Sequence, residues 1–91
     1  MKDGEIENVI KKEFRVNIIV SSMLSEGEEG SYLDATVYFY EAKCIDEVSN
    51  RTEILERVKE LLAVAYSCDA NNLEIYDDED EDTTFYIVEA H

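Results

Sequence analysis

The stretch from Arg51 to Tyr66 constrains the fold more than any other part of the sequence. Its apolar residues recur on one side of an ideal helix: Ile54, Leu55, Val58, Leu61, Leu62 and Ala65. Asn50 and Glu53 match a capping box, which predicts that the helix begins here. A stripe this continuous has to pack against another apolar surface, so the sequence predicts a long helix lying across a sheet.

Alternating apolar residues predict that this sheet has four strands. The predicted strands run from Phe14 to Met23, from Tyr32 to about Ala42, from Leu73 to Tyr76 and from Thr83 to Glu89. Polar loops separate the first two strands and the last two, so each pair is expected to form a hairpin. A short helix is predicted over residues 3–12, where apolar residues again recur at helical spacing.

Together these elements predict an α+β fold that forms one domain over residues 1–91. We expect a four-stranded, mainly antiparallel sheet with one long helix packed on one face and a short N-terminal helix. Phe85 and Ile87 are expected to point toward the long helix, whereas Tyr86 and Val88 point away from it. The order of the strands does not follow from the sequence.

The charge of the chain restricts its partners. Asp and Glu number 23 against 8 Lys and Arg, which gives a formal net charge of −15. Nucleic acids and anionic membranes repel such a protein, so we expect it to bind neither of them directly. Surplus carboxylates attract basic surfaces, so a basic protein is the expected partner. Adaptation to high salt also produces acidic proteins, but the excess of lysine over arginine and the many isoleucines disfavour it.

The termini and the cysteines indicate a cytoplasmic protein. The first ten residues are charged and lack the apolar segment of a secretion signal, and no apolar run is long enough to span a bilayer. Cys44 and Cys68 have neither metal-ligand nor redox spacing, so free thiols in a reducing compartment are expected.

Catalysis is not supported by the sequence, and we expect no enzymatic activity and no cofactor. The one histidine, His91, is the last residue, where chains usually fray. A nucleophile therefore has no firmly held histidine as its base, and no glycine-rich phosphate loop is present.

A calcium loop is the one metal site that the sequence suggests. Asp78, Asp80 and Asp82 stand at positions 1, 3 and 5 of an EF-hand-like loop, and Glu89 stands at position 12. Thr83 occupies position 6, where the loop requires glycine, and a strand follows where loop and helix belong. We therefore predict no specific metal site.

Two acidic segments are candidate contacts for a basic partner. They are Asp77, Asp78, Glu79, Asp80, Glu81 and Asp82 at the expected tip of the second hairpin, and Glu26, Glu28 and Glu29 in the loop of the first. Such a tip is either a solvated turn or an acidic finger that reaches into a basic cleft.

The sheet face opposite the long helix is a second candidate surface. Strand alternation places Tyr38, Tyr40, Tyr76 and Tyr86 on this face. Tyrosine is enriched at protein interfaces, which favours a binding surface or a homodimer contact. Two alternatives remain open: the tyrosines serve only as cross-strand pairs, or the N-terminal helix covers them.

In size, charge and mixed α/β layout, the chain is similar to small phage-encoded inhibitors such as anti-CRISPR proteins and the uracil-DNA glycosylase inhibitor. The resemblance implies a DNA mimic that blocks a basic nucleic-acid-handling protein, for example a CRISPR effector or another host nuclease. It rests on overall character and assigns no role to any residue. The alternative function is a structural or adaptor module that self-associates, or binds a protein, through the tyrosine-rich face.

Overall fold

A computed structural model describes residues 3–90 and confirms the α+β fold. The elements are α1 (Asp3–Phe14), β1 (Ile18–Gly27), β2 (Gly30–Phe39), α2 (Arg51–Tyr66), β3 (Leu73–Asp77) and β4 (Thr84–Glu89), with short 3₁₀ turns at Ile45–Glu47 and Ala70–Asn72. The four strands form one antiparallel sheet, and the two helices pack on it.

The strand order of the sheet is β1-β2-β4-β3, so β1 and β3 are its edges. Each hairpin predicted from the sequence is present, and β2 pairs with β4 between them. Tyr38 near the end of β2 lies opposite Thr84 at the start of β4. Because of this register, the tip of the β1–β2 hairpin and the tip of the β3–β4 hairpin lie at opposite ends of the sheet.

The core lies between the helices and one face of the sheet. Its fully buried side chains include Leu33, Ala35, Val37 and Phe39 from β2, Ile87 from β4, and Val58 and Leu62 from α2. Ile6 and Ile10 of α1 are also fully buried in this core. The N-terminal helix therefore packs on the same face as α2, and it does not cover the face that bears the tyrosines.

The junction between α1 and β1 differs from the predicted one. The helix continues to Phe14, and Arg15 ends it in a left-handed conformation with φ 55° while its amide bonds Lys11 O at 2.9 Å. Strand β1 consequently begins at Ile18 and extends to Gly27. The apolar residues before Ile18 alternate as in a strand, which is why the sequence pattern set its start too early.

The predicted capping of α2 by Asn50 is wrong in its mechanism. The helix does begin at Arg51, but Asn50 has φ 59° and its side chain makes no capping hydrogen bond. Asparagine adopts this left-handed conformation more readily than most residues, so here it supplies a turn in the backbone.

Carboxylates of α1 cover two outward backbone positions on the β1 edge of the sheet. The amide of Val20 donates to Glu7 Oε2 at 2.8 Å, and the amide of Ser22 donates to Asp3 Oδ2 at 2.9 Å. These amides point away from β2 and would otherwise be free to pair with another strand. The two acids, four residues apart on α1, thus occupy the place of a neighbouring strand.

The packing of α2 predicts a large difference between two substitutions on the same helix. Leu62 is fully buried, whereas Val64 is 74% exposed. Leu62→Ala should lower the free energy of unfolding by about 2–5 kcal/mol, because it removes core contacts and leaves a cavity. The matched control, Val64→Ala, should change it by less than about 0.5 kcal/mol. Urea unfolding measures both, and equal effects would contradict the position of the core.

Candidate functional site

The face of the sheet opposite the helices is open to solvent, and we call it the outer face. Its residues are Ile19, Ser21 and Met23 of β1, Tyr32, Asp34, Thr36 and Tyr38 of β2, Glu74 and Tyr76 of β3, and Thr84, Tyr86 and Val88 of β4. No element among residues 3–90 packs over this face. Large apolar or aromatic side chains are therefore left exposed on it.

Three of the four predicted tyrosines lie together on the outer face. Tyr86 lies directly opposite Tyr76 on one side and opposite Thr36 on the other. Tyr38, which is paired with Ile19, follows Thr36 on the same face of β2. The side chains of Tyr38 and Tyr76 are 40% and 50% exposed, so the cluster offers contact area as well as polar hydroxyl groups.

The fourth tyrosine, Tyr40, lies apart from this cluster. Strand β2 ends at Phe39, and the amide of Tyr40 then donates to Asn17 O at 3.2 Å. Lys11 Nζ lies 5.5 Å from the centroid of the Tyr40 ring, which is a cation–π distance. Tyr40 therefore joins the C-terminal end of α1, and its ring is already engaged.

Asp78 organises the tip of the second hairpin, residues 77–82, which we call the acidic loop. Its Oδ1 accepts hydrogen bonds from the amides of Asp80 at 2.9 Å and Glu81 at 3.0 Å. Its Oδ2 accepts the hydroxyl of Tyr86. One carboxylate thus holds the loop in shape and joins it to the outer face.

The remaining acids of the loop divide into two groups. Asp82 Oδ2 accepts the amide of Ile45 at 2.6 Å, which ties the loop to the segment before α2. The other acids, Asp77, Glu79, Asp80 and Glu81, are exposed. The predicted finger is therefore a turn fixed by two of its carboxylates, which displays the other four.

The hydrogen bonds of the outer face shift the acidity of the groups involved. The hydroxyl of Tyr86, and then the amides of the loop, lower the pKa of Asp78. The hydrogen bond that the Tyr86 hydroxyl donates to Asp78 in turn raises the pKa of Tyr86. The pKa of Tyr76 is raised too, because its hydroxyl donates to Glu74. These shifts favour the ionised form of Asp78 and the protonated forms of Tyr76 and Tyr86.

The first hairpin places its acids far from the acidic loop. Glu28 and Glu29 form the turn between β1 and β2, and Glu26 Oε1 accepts the hydroxyl of Ser31 at 3.2 Å. The length of β2, ten residues, separates the two tips by about 33 Å at ~3.3 Å per residue. The structure therefore does not bring the two predicted acidic segments together.

Basic residues are missing from the whole sheet. No Lys or Arg occurs from residue 16 to 42 or from residue 60 to 91, and these stretches contain all four strands. The bases of the described chain lie on the helices and in loops: Lys11, Lys12, Arg15, Lys43, Arg51, Arg57 and Lys59. The outer face, which includes Asp34 and Glu74, is thus aromatic and acidic without a compensating cation.

The four residues of the calcium pattern do not converge. Asp78 and Asp82 accept hydrogen bonds from the protein itself, and Glu89 Oε1 accepts the amide of Leu33 at 2.9 Å. Glu89 ends β4, whereas the acidic loop precedes its start. Among residues 3–90 no group of three or more His, Cys, Asp and Glu is arranged to hold a metal ion.

The cysteines form no site with the acidic loop or the outer face. Cys44 and Cys68 are separate, partly buried thiols, and burial raises the pKa of Cys68. His91 lies outside the described residues. No helix in the described part of the chain is both long and apolar enough to cross a membrane.

A pocket that sequence reasoning missed lies where α1 ends and α2 begins. Its volume is about 310 Å³, and its lining includes Phe14, Arg15, Glu41, Val48 and Asn50. Arg15, Glu41 and Asn50 all have positive φ, at 55°, 69° and 59°. Only the asparagine gives a sequence signal for such a turn, so the pattern of Arg and Glu could not have revealed the pocket.

The role of Asp78 predicts an acid-dependent loss of stability. A pKa lowered in the folded state means that ionised Asp78 stabilises the fold above the ordinary aspartate pKa of about 4, and that this stability is lost as the pH falls through the lowered value. Thermal melts from about pH 6 to pH 2 should therefore decline less steeply for Asp78→Asn than for the wild-type chain. Asp80→Asn is the control, and identical curves for the two variants would contradict the role of Asp78.

Comparison with protein-family models, with curated proteins and with solved structures finds no match to this chain. The function is therefore argued from the residues of the outer face, the acidic loop and the sheet edges.

Proposed function

We propose that the chain is a non-catalytic, acidic inhibitor that docks its outer face and acidic loop on a basic surface of a partner protein. The partner is a nucleic-acid-handling protein, such as a CRISPR effector or another host nuclease, whose phosphate-binding surface the inhibitor occupies. One observation supports the proposal above the others: an uncovered tyrosine cluster is hydrogen-bonded to an ordered acidic loop through Tyr86 and Asp78.

The tyrosine cluster favours a protein partner that presents arginine or lysine. Tyr38 and Tyr76 offer exposed ring faces, and a guanidinium group stacks favourably on such a face. Their hydroxyls also supply hydrogen bonds at the rim of a contact. A partner with a matching apolar and cationic surface would bury these rings without leaving a charge unpaired.

The acidic loop favours a site that normally binds phosphates. Four of its exposed carboxylates, on Asp77, Glu79, Asp80 and Glu81, lie on successive residues or nearly so, and negative charges at such short intervals resemble those of a nucleic acid backbone. Asp78 and Asp82 fix the turn, so the exposed acids are ordered before binding and little entropy is lost on contact. Both properties support competition with nucleic acid for a basic cleft.

Self-association is the second candidate, and the exposed apolar residues of the outer face favour it. Ile19 and Met23 are 44% and 60% exposed, and they lie opposite Tyr38 and Asp34 respectively. Two copies joined through this face would, however, combine two chains of net charge −15. Salt screens that repulsion, so a homodimer would tighten as salt is added, whereas a complex with a basic protein would weaken.

Charge-matched variants test the proposed inhibitor. Glu79→Gln with Glu81→Gln removes two charges from the acidic loop, and Glu56→Gln with Glu60→Gln removes two from the exposed side of α2. The assay measures how well each variant inhibits DNA binding by a panel of host nucleases that act on phage DNA. The inhibition constant should rise at least about tenfold for the loop variant and stay within about twofold for the helix variant. Equal inhibition by the two variants, or none by the wild-type chain, would contradict the proposal.

Salt and the tyrosines separate the two candidates. Tyr38→Ser with Tyr76→Ser should abolish nuclease inhibition if the outer face docks on the enzyme. Sedimentation of the wild-type chain alone should show a monomer from about 50 mM to about 1 M salt, because screening the repulsion between two copies does not by itself make their outer faces complementary. A dimer that forms as salt rises and is lost in the tyrosine variant would favour self-association instead.

A further inference from the structure

The two edges of the sheet differ in what lies beside them. Beside β1, α1 supplies Glu7 and Asp3, which accept the outward amides of Val20 and Ser22. On the other edge, the amide of Asp78 donates to Thr84 O at 3.1 Å and the amide of Ala90 donates to Asn72 O at 2.7 Å. The hydrogen bonds of an antiparallel pair alternate along each strand. The backbone N–H and C=O groups of even-numbered residues in β3 therefore bond β4, and those of odd-numbered residues point away from it.

Two odd-numbered residues of β3 have backbone amides that find no acceptor among residues 3–90. The amide of Leu73 is satisfied by Ala70 O in the turn before the strand. The amides of Ile75 and Asp77 point away from β4, and neither donates to any group among residues 3–90. Their carbonyls point the same way, so β3 presents a free donor and acceptor at two successive outward positions.

The surroundings of this edge are acidic. Glu74 lies on the outer face, and Asp77 at the end of the strand is exposed and leads into the acidic loop. Neither has a basic neighbour along the chain, since no Lys or Arg occurs from residue 60 to 91. An added strand with cations at alternating positions would place them beside Glu74 on one face of the sheet or Asp77 on the other.

We propose that an extended, basic segment of the partner protein adds to β3 as a fifth strand. Its backbone pairs with the free groups of Ile75 and Asp77, and its lysine or arginine side chains lie beside the acids. The proposal rests on the proposed function for the sign of the partner's charge, and it adds the backbone edge of β3, whose last residue, Asp77, is also the first residue of the acidic loop. Tyr76 lies where the two surfaces meet, so one partner can contact both.

A second copy of the chain is a poorer occupant of the same edge. Its β3 would bring Glu74 and Asp77 again and no base, together with another net charge of −15. The pairing energy of a strand with only two free positions is small, and it would act against that repulsion. A basic segment gains from the same charges.

A peptide pair tests the added strand on the wild-type chain. The probe is a peptide of about eight residues that alternates lysine and threonine, and its control is the same peptide with every backbone amide N-methylated. Both have equal charge, but only the probe can pair with both free positions. At about 20 mM salt, the probe should slow hydrogen exchange of the Ile75 and Asp77 amides at least about tenfold more than the control.

Two substitutions at one position test the edge from the protein side. Asp77→Ala removes the charge and keeps the amide, whereas Asp77→Pro removes both. The outward amide makes proline tolerable in the sheet here. Probe affinity should fall at least about tenfold from Asp77→Ala to Asp77→Pro. Equal affinities of these two variants, or equal protection by both peptides, would overturn the added strand.

The same measurements separate this inference from the proposed inhibitor. If the two peptides bind equally and shift only the signals of Tyr38, Tyr76 and Tyr86, the edge is not used and the outer face still attracts cations. If the peptide protects Ile75 and Asp77 while the loop variant inhibits nucleases normally, strand addition stands and the inhibitor proposal fails. Protection that rises with protein concentration alone would overturn the choice of a foreign segment.

Discussion

Burial of the α2 stripe against one face of the sheet is the interaction on which the rest of the structure depends. A chain with a net charge of −15 loses stability to self-repulsion, and it is the apolar core that offsets this loss. Because Ile6 and Ile10 of α1 enter the same core, both helices are committed to one face. The outer face is open as a direct consequence, and its tyrosines are exposed without any element being displaced.

Carboxylates in this chain bond mainly to backbone amides, since cations are few. The ion pairs formed within residues 3–90 involve Arg57 and Lys59 on the surface of α2. Asp3, Glu7 and Asp78, by contrast, accept amides at a sheet edge and in a loop, where an unmade hydrogen bond would be costly. The surplus of acids is thus partly structural, and the acidic surface left for a partner is smaller than the composition suggests.

Local periodicity in the sequence predicted the helices and strands, but it carries no information on which of them contact one another. The helix from Arg51 to Tyr66 matched because its stripe is continuous, and the acidic loop matched because six polar residues separate two strands. Strand order depends on which hairpin edges meet, and no residue pattern states this. The separation of Glu28 from Glu79 by the length of the sheet could therefore not be foreseen, and neither could the hydrogen bond between Asp78 and Tyr86.

The outer face, the acidic loop and the open β3 edge all meet at the β3–β4 hairpin, and they differ in how salt affects them. Charge on the loop acts over about a Debye length, ~8 Å at physiological salt, and it speeds the encounter with a basic protein. Tyrosine rings and the free amides of Ile75 and Asp77 act only on contact, and salt screens them little. A partner selected by charge alone would dissociate quickly, so specificity in such a complex has to come from the rings and the strand edge.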